Sequence, residues 1–344
     1  MSEAVSLAPV DAATSGSGST PDAPRPSRPR RDAVWFLSRF AVIGVWIALA
    51  VLFSALRPDT FMTSGSFKVI FGSQSALVFL TASLLCTIVV GEFVDMSGAS
   101  NFGLSAVFVA VMNVNHGWNV WVASLVALAL AAFVGFVNGW LVVKMGVNTI
   151  VVTLGMSTLL LGFALYLTNL MPVSGLAPDF QKIASQPVLG LPVSFFYGLA
   201  LMLGFAYLLH FTPLGRNMRF VGENREVSRL AGVRVTRVRW GAFTTGGLLA
   251  GIGGVLSAAA TGGFDPNVSQ SYLLPIFAAT FLGTAILQPG RFNPLGTLIA
   301  VYFLATGVLG LQLLGATAWV SNVFYGGVLV VAVTLSTLLN RKAH

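Results

Sequence analysis

An all-α protein that crosses a membrane about ten times, with eight as the lower bound, is what this sequence predicts. Three observations predict it. The first is composition: of 344 residues, 56% are hydrophobic and 9% charged, and the mean hydropathy is +0.84. A soluble domain carries ~25% charged residues, so a chain this apolar calls for lipid as its solvent. The second is run length. Stretches such as ALVFLTASLLCTIVV and YGLALMLGFAYLLHF approach the ~20 residues a helix needs to cross a hydrocarbon core ~30 Å thick, whereas a membrane β-barrel would show short alternating segments. The third is positive charge, which sorts to one side once the runs are drawn as spans.

Residues 1–32 are rich in Ala, Ser, Pro and Gly. They lack the apolar density to fold and predict a disordered cytoplasmic tail. The apolar stretch behind them comes too late and runs too long for a cleaved signal, so segment 40–56 reads as an uncleaved anchor. It opens a transmembrane domain over 33–340. Nine further segments follow, at 68–90, 101–114, 118–143, 149–170, 193–211, 240–261, 272–288, 295–314 and 318–339. The segment at 101–114 is short enough to be half a helix. With the N-terminus inside, 16 of the 19 Lys and Arg fall on the inner side, and only Arg57, Lys68 and Lys182 fall outside. Both termini are therefore expected in the cytoplasm. A net charge of +8 argues for topology here, not for nucleic acid.

Two loops stand out. The outer loop 171–192 holds four prolines. The inner loop 212–239 holds seven Arg against Glu223 and Glu226. Within it, ENREVSRLAGV predicts a short helix that Gly232 stops, with Val227, Leu230 and Ala231 on one face. Such a loop either only fixes orientation or docks a soluble partner by its apolar face.

The stretch GEFVDMSGASNFG at 91–103 places Glu92 and Asp95 three residues apart. An ionised group at the bilayer centre costs ~2.5–3.5 kcal/mol or more, so these must meet water or a partner. The surrounding Gly, Ser and Asn predict a broken helix over about 91–101. Discontinuous helices are where solute transporters bind cargo, which makes Glu92, Phe93, Asp95, Ser97 and Asn101 candidates for a substrate pathway. The alternative is an interfacial loop whose carboxylates face water. Asn138, Asn148 and Thr153 read as interhelical glue, and Gly246, Gly247, Gly251, Gly253 and Gly254 as a close-packing face. The three His are scattered with no metal-ligand spacing, and Cys86, the only cysteine, reads as a buried apolar side chain. No catalytic residue and no cofactor is expected.

The run TPLGRNMRFVGENREVSRLAGVRVTRVR resembles the cytoplasmic loop of the permease subunits of bacterial sugar ABC importers, the ribose, xylose, arabinose and galactose type. That pattern is T-x-x-G-R, then Gly-Asn or Glu-Asn, then A-x-x-x-G-I/V-x-V. Thr212, Gly215, Arg216, Gly222, Asn224, Ala231, Gly232, Val233 and Val235 stand at those positions, with Ser228 for a common Ala. The likeness extends over roughly 40–340. It implies an inner-membrane subunit that works as a dimer with a second copy or a paralogue. A separate ATPase would dock on a loop helix at Glu223, Asn224, Arg229, Leu230, Ala231 and Gly232, with Arg216 nearby, and a periplasmic binding protein would deliver a sugar or sugar-like solute. The chain has no G-x-x-x-x-G-K-[ST], so ATP chemistry belongs to a partner. Two departures are plain. The family's G-G-I-D-L-S-V-G becomes GEFVDMSGAS, which keeps Asp95 but introduces Glu92 and Phe93. Its G-G-x-G-S-x-x-G becomes PGRFNPLGT, where Arg291 and Asn293 are unusual.

Two rivals remain. In an ion-coupled secondary carrier, Glu92 and Asp95 would be proton or sodium sites. A polytopic membrane enzyme would need clustered acids or His, and between residues 60 and 220 the acids are only Glu92, Asp95 and Asp179.

Overall fold

The computed structural model describes residues 29–341. The tail expected over 1–32 lies outside the described residues except for its last four, which open the first helix. In chain order the helices are α1 (Pro29–Leu56), α2 (Pro58–Phe61), α3 (Ser64–Phe67), α4 (Ser75–Val89), α5 (Ser97–Val114), α6 (Val120–Gly139), α7 (Thr149–Thr168), α8 (Pro178–Ser185), α9 (Val193–Phe211) and α10 (Pro213–Glu223). They continue with α11 (Arg225–Leu230), α12 (Val235–Thr261), α13 (Val268–Ser271), α14 (Leu273–Gly283), α15 (Pro294–Leu313) and α16 (Ala318–Arg341). π-helical turns at Lys68–Gly72 and Trp140–Lys144 extend the α3 and α6 segments. Two short antiparallel pairs complete the set: β1 (Val173–Ser174) with β4 (Gly263–Phe264), and β2 (Pro187–Val188) with β3 (Leu191–Pro192).

Among the described residues, seven helices are long and apolar enough to cross a membrane, and three more, Phe40–Leu56, Val268–Gly283 and Trp319–Thr334, are apolar but shorter. These ten are the ten segments drawn from the sequence. The 101–114 segment proves longer than its apolar run. Ser97, Ser100 and Asn101 begin α5, and the 18 residues of the helix reach across. Polar side chains at a helix start escape a hydropathy window while their hydrogen bonds are met inside the bundle.

Every residue of α4 is buried, as expected for a helix apolar all round at the centre of a bundle. Helix α12 packs along α4, α5 and α6, and it approaches closely because it offers glycine where a neighbour's backbone arrives. A Cβ on Gly254 would strike the Phe102 carbonyl, and one on Gly247 would sit 2.6 Å from the Ala131 carbonyl. Where no hydrophobic force separates helix from lipid, such close packing is what holds helices together.

The two ends of the bundle differ. At one end Asn113 Oδ1 accepts from the Ala177 backbone at 3.4 Å, and the outer loop pairs with Gly263–Phe264. At the other end Arg225 and Arg239 of the 212–239 loop close on the turn after α4. This is the polarity that the charge distribution predicts.

Gly155 on α7 has nothing within 4 Å of where a Cβ would be. Gly254→Ala should therefore lower the thermal midpoint of the purified protein in detergent, by the ~1–3 kcal/mol of an overpacked core. Gly155→Ala should leave it unchanged or raise it.

Candidate functional site

The site is built on the way α4 stops. Gly91 adopts φ +84°, its N–H bonds the Ile88 carbonyl at 3.0 Å, and the Glu92 N–H bonds the Thr87 carbonyl at 3.0 Å. This is the Schellman turn, which needs a left-handed residue after the helix and so favours glycine. The turn swings Glu92 back under its own helix, where only 4% of it remains exposed.

Four elements meet at that carboxylate. Oε1 accepts from Arg225 Nη2 at 2.8 Å and from Arg239 Nε at 2.7 Å, and Oε2 accepts from Thr149 Oγ1 at 2.6 Å. Arg225 opens α11, Arg239 lies in the first turns of α12, and Thr149 is the first residue of α7. Arg225 also donates to the Gly91 carbonyl at 2.9 Å. The exposed N–H groups at the start of α7 add a favourable field for the anion. Desolvating one carboxylate costs several kcal/mol, and two guanidiniums with a hydroxyl are the kind of partnership that offsets it.

The other residues proposed for a pathway have different surroundings. Asp95 Oδ1 accepts from the Ser97 N–H at 3.0 Å and from Ser97 Oγ at 2.7 Å, an Asx turn that starts α5. Asn138 Nδ2 donates to Ser97 Oγ at 2.9 Å. Asn101 Nδ2 reaches the Ala131 carbonyl at 3.1 Å and the Gly247 carbonyl at 3.2 Å, tying α5 to α6 and α12. Of the five, only Phe93 looks onto open space, at 53% exposure. The helix break exists, but it lies between two spans at the arginine-rich end. Its two carboxylates are thereby engaged, Glu92 with two arginines and a threonine and Asp95 with the start of α5.

In the 212–239 loop, Thr212 accepts from the Gly215 N–H at 3.1 Å and Pro213 fixes the first turn of α10. Gly222 lets α10 lie on the end of α4, since a Cβ there would meet the Val89 carbonyl. Asn224 caps α11, accepting from Glu226 N at 3.0 Å and Val227 N at 3.1 Å, and Gly232 at φ +81° ends the turn after it. Buried Ser228 faces the protein, while Val227, Leu230 (83% exposed) and Ala231 face outward. Arg229 and Glu226 pair at 2.8 Å on the surface, and Arg216 is exposed on α10. Glu223 faces Arg291 at 3.8 Å.

Beside this clamp lies a cavity of about 670 Å³ between α10, the end of α4 and the 289–292 turn. Asn293 shapes that turn. It is buried, caps α15 through the Gly296 N–H at 2.5 Å, and donates to the carbonyls of Gly283 and Ile286, each at 3.1 Å. Arg291 and Phe292 consequently project toward the cavity, where Arg219 also lies. Partial burial, and then the Arg291 guanidinium nearby, hold the Arg219 pKa below that of an ordinary guanidinium. Sequence reasoning missed Arg225, Arg239 and Thr149 as partners of Glu92. The signal for the arginines was the need itself, a buried acid with seven arginines on the same membrane side.

The bundle, its basic loop and its capped surface helix define a multi-pass, all-α membrane protein. Residues 66–333 match the family described as branched-chain amino acid transport system / permease component, and the chain belongs to that family. The autoinducer 2 import system permease protein LsrD of Escherichia coli K12 is 30% identical over 305 residues, 87% of this chain and 91% of the relative. LsrD of Yersinia enterocolitica is 30% identical over 274 residues, 75% of this chain and 82% of the relative. The ribose import permease protein RbsC of Escherichia coli K12 is 29% identical over 303 residues, 87% and 93% of the two chains. No solved structure matches.

Arg239, 14% exposed at its side chain, is the clamp's most buried cation. Arg239→Ala should destabilise the protein, by no more than the ~3–5 kcal/mol of a broken buried ion pair, because Glu92 loses its more buried guanidinium and keeps only Arg225 and Thr149. Glu92→Ala combined with Arg239→Ala should cost less than the sum of the two single changes. Thermal unfolding in detergent reads both, and additive losses would show that the pair does not interact.

Proposed function

We propose that this chain is the membrane-spanning half of an ATP-driven importer for a sugar or sugar-like polar solute. It works as a dimer with a second permease copy or a paralogue, a periplasmic binding protein and a separate ATPase. The observation that carries the reading is α11: a capped helix with an exposed apolar face on the cytoplasmic side, held to the spans through Arg225 and Glu92. A partner that moves α11 moves the end of α4 and the starts of α7 and α12 with it, since all four meet at one carboxylate. Residues Glu223, Asn224, Arg229, Leu230, Ala231 and Gly232 form and flank the docking face, and Arg216 lies on the helix before it. Relatives named for autoinducer 2 and for ribose support a cargo in the polar, sugar-like class. The solute route includes Phe93, while Glu92, Asp95, Ser97 and Asn101 hold the helices that flank it.

Leu230→Glu tests the docking face. Losing an anchoring side chain at an interface costs ~2 kcal/mol or more, about thirtyfold in affinity. The variant should reach the membrane folded, retain little ATPase on co-purification, and lose ATP-driven uptake in proteoliposomes. Normal uptake by the variant would contradict the reading. So would uptake by the wild-type chain alone under an ion gradient.

A further inference from the structure

A row of aromatic rings leads from the cytoplasmic cavity up along α14. The ring centres of Phe93 and Phe292 are 6.3 Å apart, those of Phe292 and Phe281 5.5 Å, and those of Phe281 and Phe277 6.5 Å. Helix α14 is otherwise buried. Only Leu273, Leu274, Phe277 and Phe281 keep open surface, and 273, 277 and 281 recur at four-residue spacing along one edge. The walls that face lipid look different: on α7, Val151 is 65% exposed and long side chains stand out along a broad face. Phe93 and Phe292 line the cytoplasmic cavity, and Phe281 and Phe277 continue the row from it, half-buried against the core of the bundle.

The row ends in the cavity of about 670 Å³, whose charged lining is Arg219, Arg291 and Glu223. Two guanidiniums stand against one carboxylate there, and Arg291 is among the residues by which this chain departs from the family it resembles.

We propose that the cytoplasmic half of the solute route follows this ring row, and that its mouth favours a small anionic solute with a C–H ring face, of the class of a sugar acid or a phosphorylated sugar. The inference rests on the transport reading above and sharpens it by assigning the cargo a charge. Ring faces bind C–H surfaces without demanding a fixed orientation. A guanidinium fork matches the two oxygens of a carboxylate or phosphate. Several weak sites in series let a solute leave as readily as it enters.

Thiol labelling tests this without knowledge of the cargo. In the assembled transporter carrying Cys86→Ser, single Phe281→Cys, Phe292→Cys and Phe93→Cys variants are treated in inside-out vesicles. The probes are an anionic sulfonatoethyl and a cationic trimethylammonium methanethiosulfonate, and Leu159→Cys, midway along α7 and 52% exposed, serves as the lipid-facing control. The ladder thiols should react with both soluble reagents while the control stays silent. After correction for the rates with a free thiol, the anionic reagent should lead by about tenfold. Arg219→Gln and Arg291→Gln together should abolish that lead. Reaction only with a lipid-soluble maleimide would make the row a membrane-facing groove and overturn the route. Equal corrected rates would overturn the charge selection in favour of a neutral cargo. Phe93→Cys changes a ring that is already half in solvent, so it keeps the test open where the deeper variants do not fold. A failure of ATP coupling in the docking experiment leaves this readout untouched.

Discussion

A single buried carboxylate organises the cytoplasmic half of this protein. Glu92 has too little exposure to be solvated by water, so its charge has to be met by protein. The groups that meet it come from three elements distant in sequence: residue 149 at the start of α7, residue 225 at the start of α11, and residue 239 in α12. Charge neutralisation thereby becomes a geometric constraint. Helix α11 cannot shift far while Arg225 holds both Glu92 and the Gly91 carbonyl, unless the end of α4 shifts too.

The rest of the packing supports that constraint. Helix α4 is buried throughout and works as a stiff rod, and α12 lies close enough to follow it because glycine faces its neighbours' backbones. Gly222 sets α10 directly on the last turn of α4. A displacement of α10 is therefore passed to the end of α4 by contact between backbones, whereas α11 is tied to it through the Arg225 side chain. The same displacement would change the width of the cavity between α10 and the 289–292 turn, where Phe93 and Phe292 sit.

Much of this was legible in the sequence. The ten apolar segments, their orientation and the short helix at ENREVSRLAGV follow from hydropathy, charge and capping residues, all of which act locally. The partners of Glu92 were not legible, because each is set by how distant elements pack. The sequence marked Glu92 as a charge that needs an explanation and offered two, a place in the solute pathway or in an interfacial loop that faces water. The structure turns it onto arginines, because Gly91 closes a Schellman turn where a continuing or merely unwound helix would have carried it elsewhere. Asp95, which the resembled pattern keeps, accepts from Ser97 at the start of α5. Phe292 and Arg291 were visible only as an odd PGRFN sequence. Their direction depends on Asn293, whose buried side chain ties the turn to three backbone carbonyls.

The most direct test of the account cuts the link and leaves the fold in place. In Arg225→Gln, Glu92 keeps Arg239 and Thr149, so the protein should assemble with its ATPase and hydrolyse ATP. The measurement is the amount of cargo delivered by the binding protein and imported per ATP hydrolysed, in proteoliposomes. The account predicts a several-fold fall in that ratio with hydrolysis retained. An unchanged ratio in a fully assembled variant would contradict it.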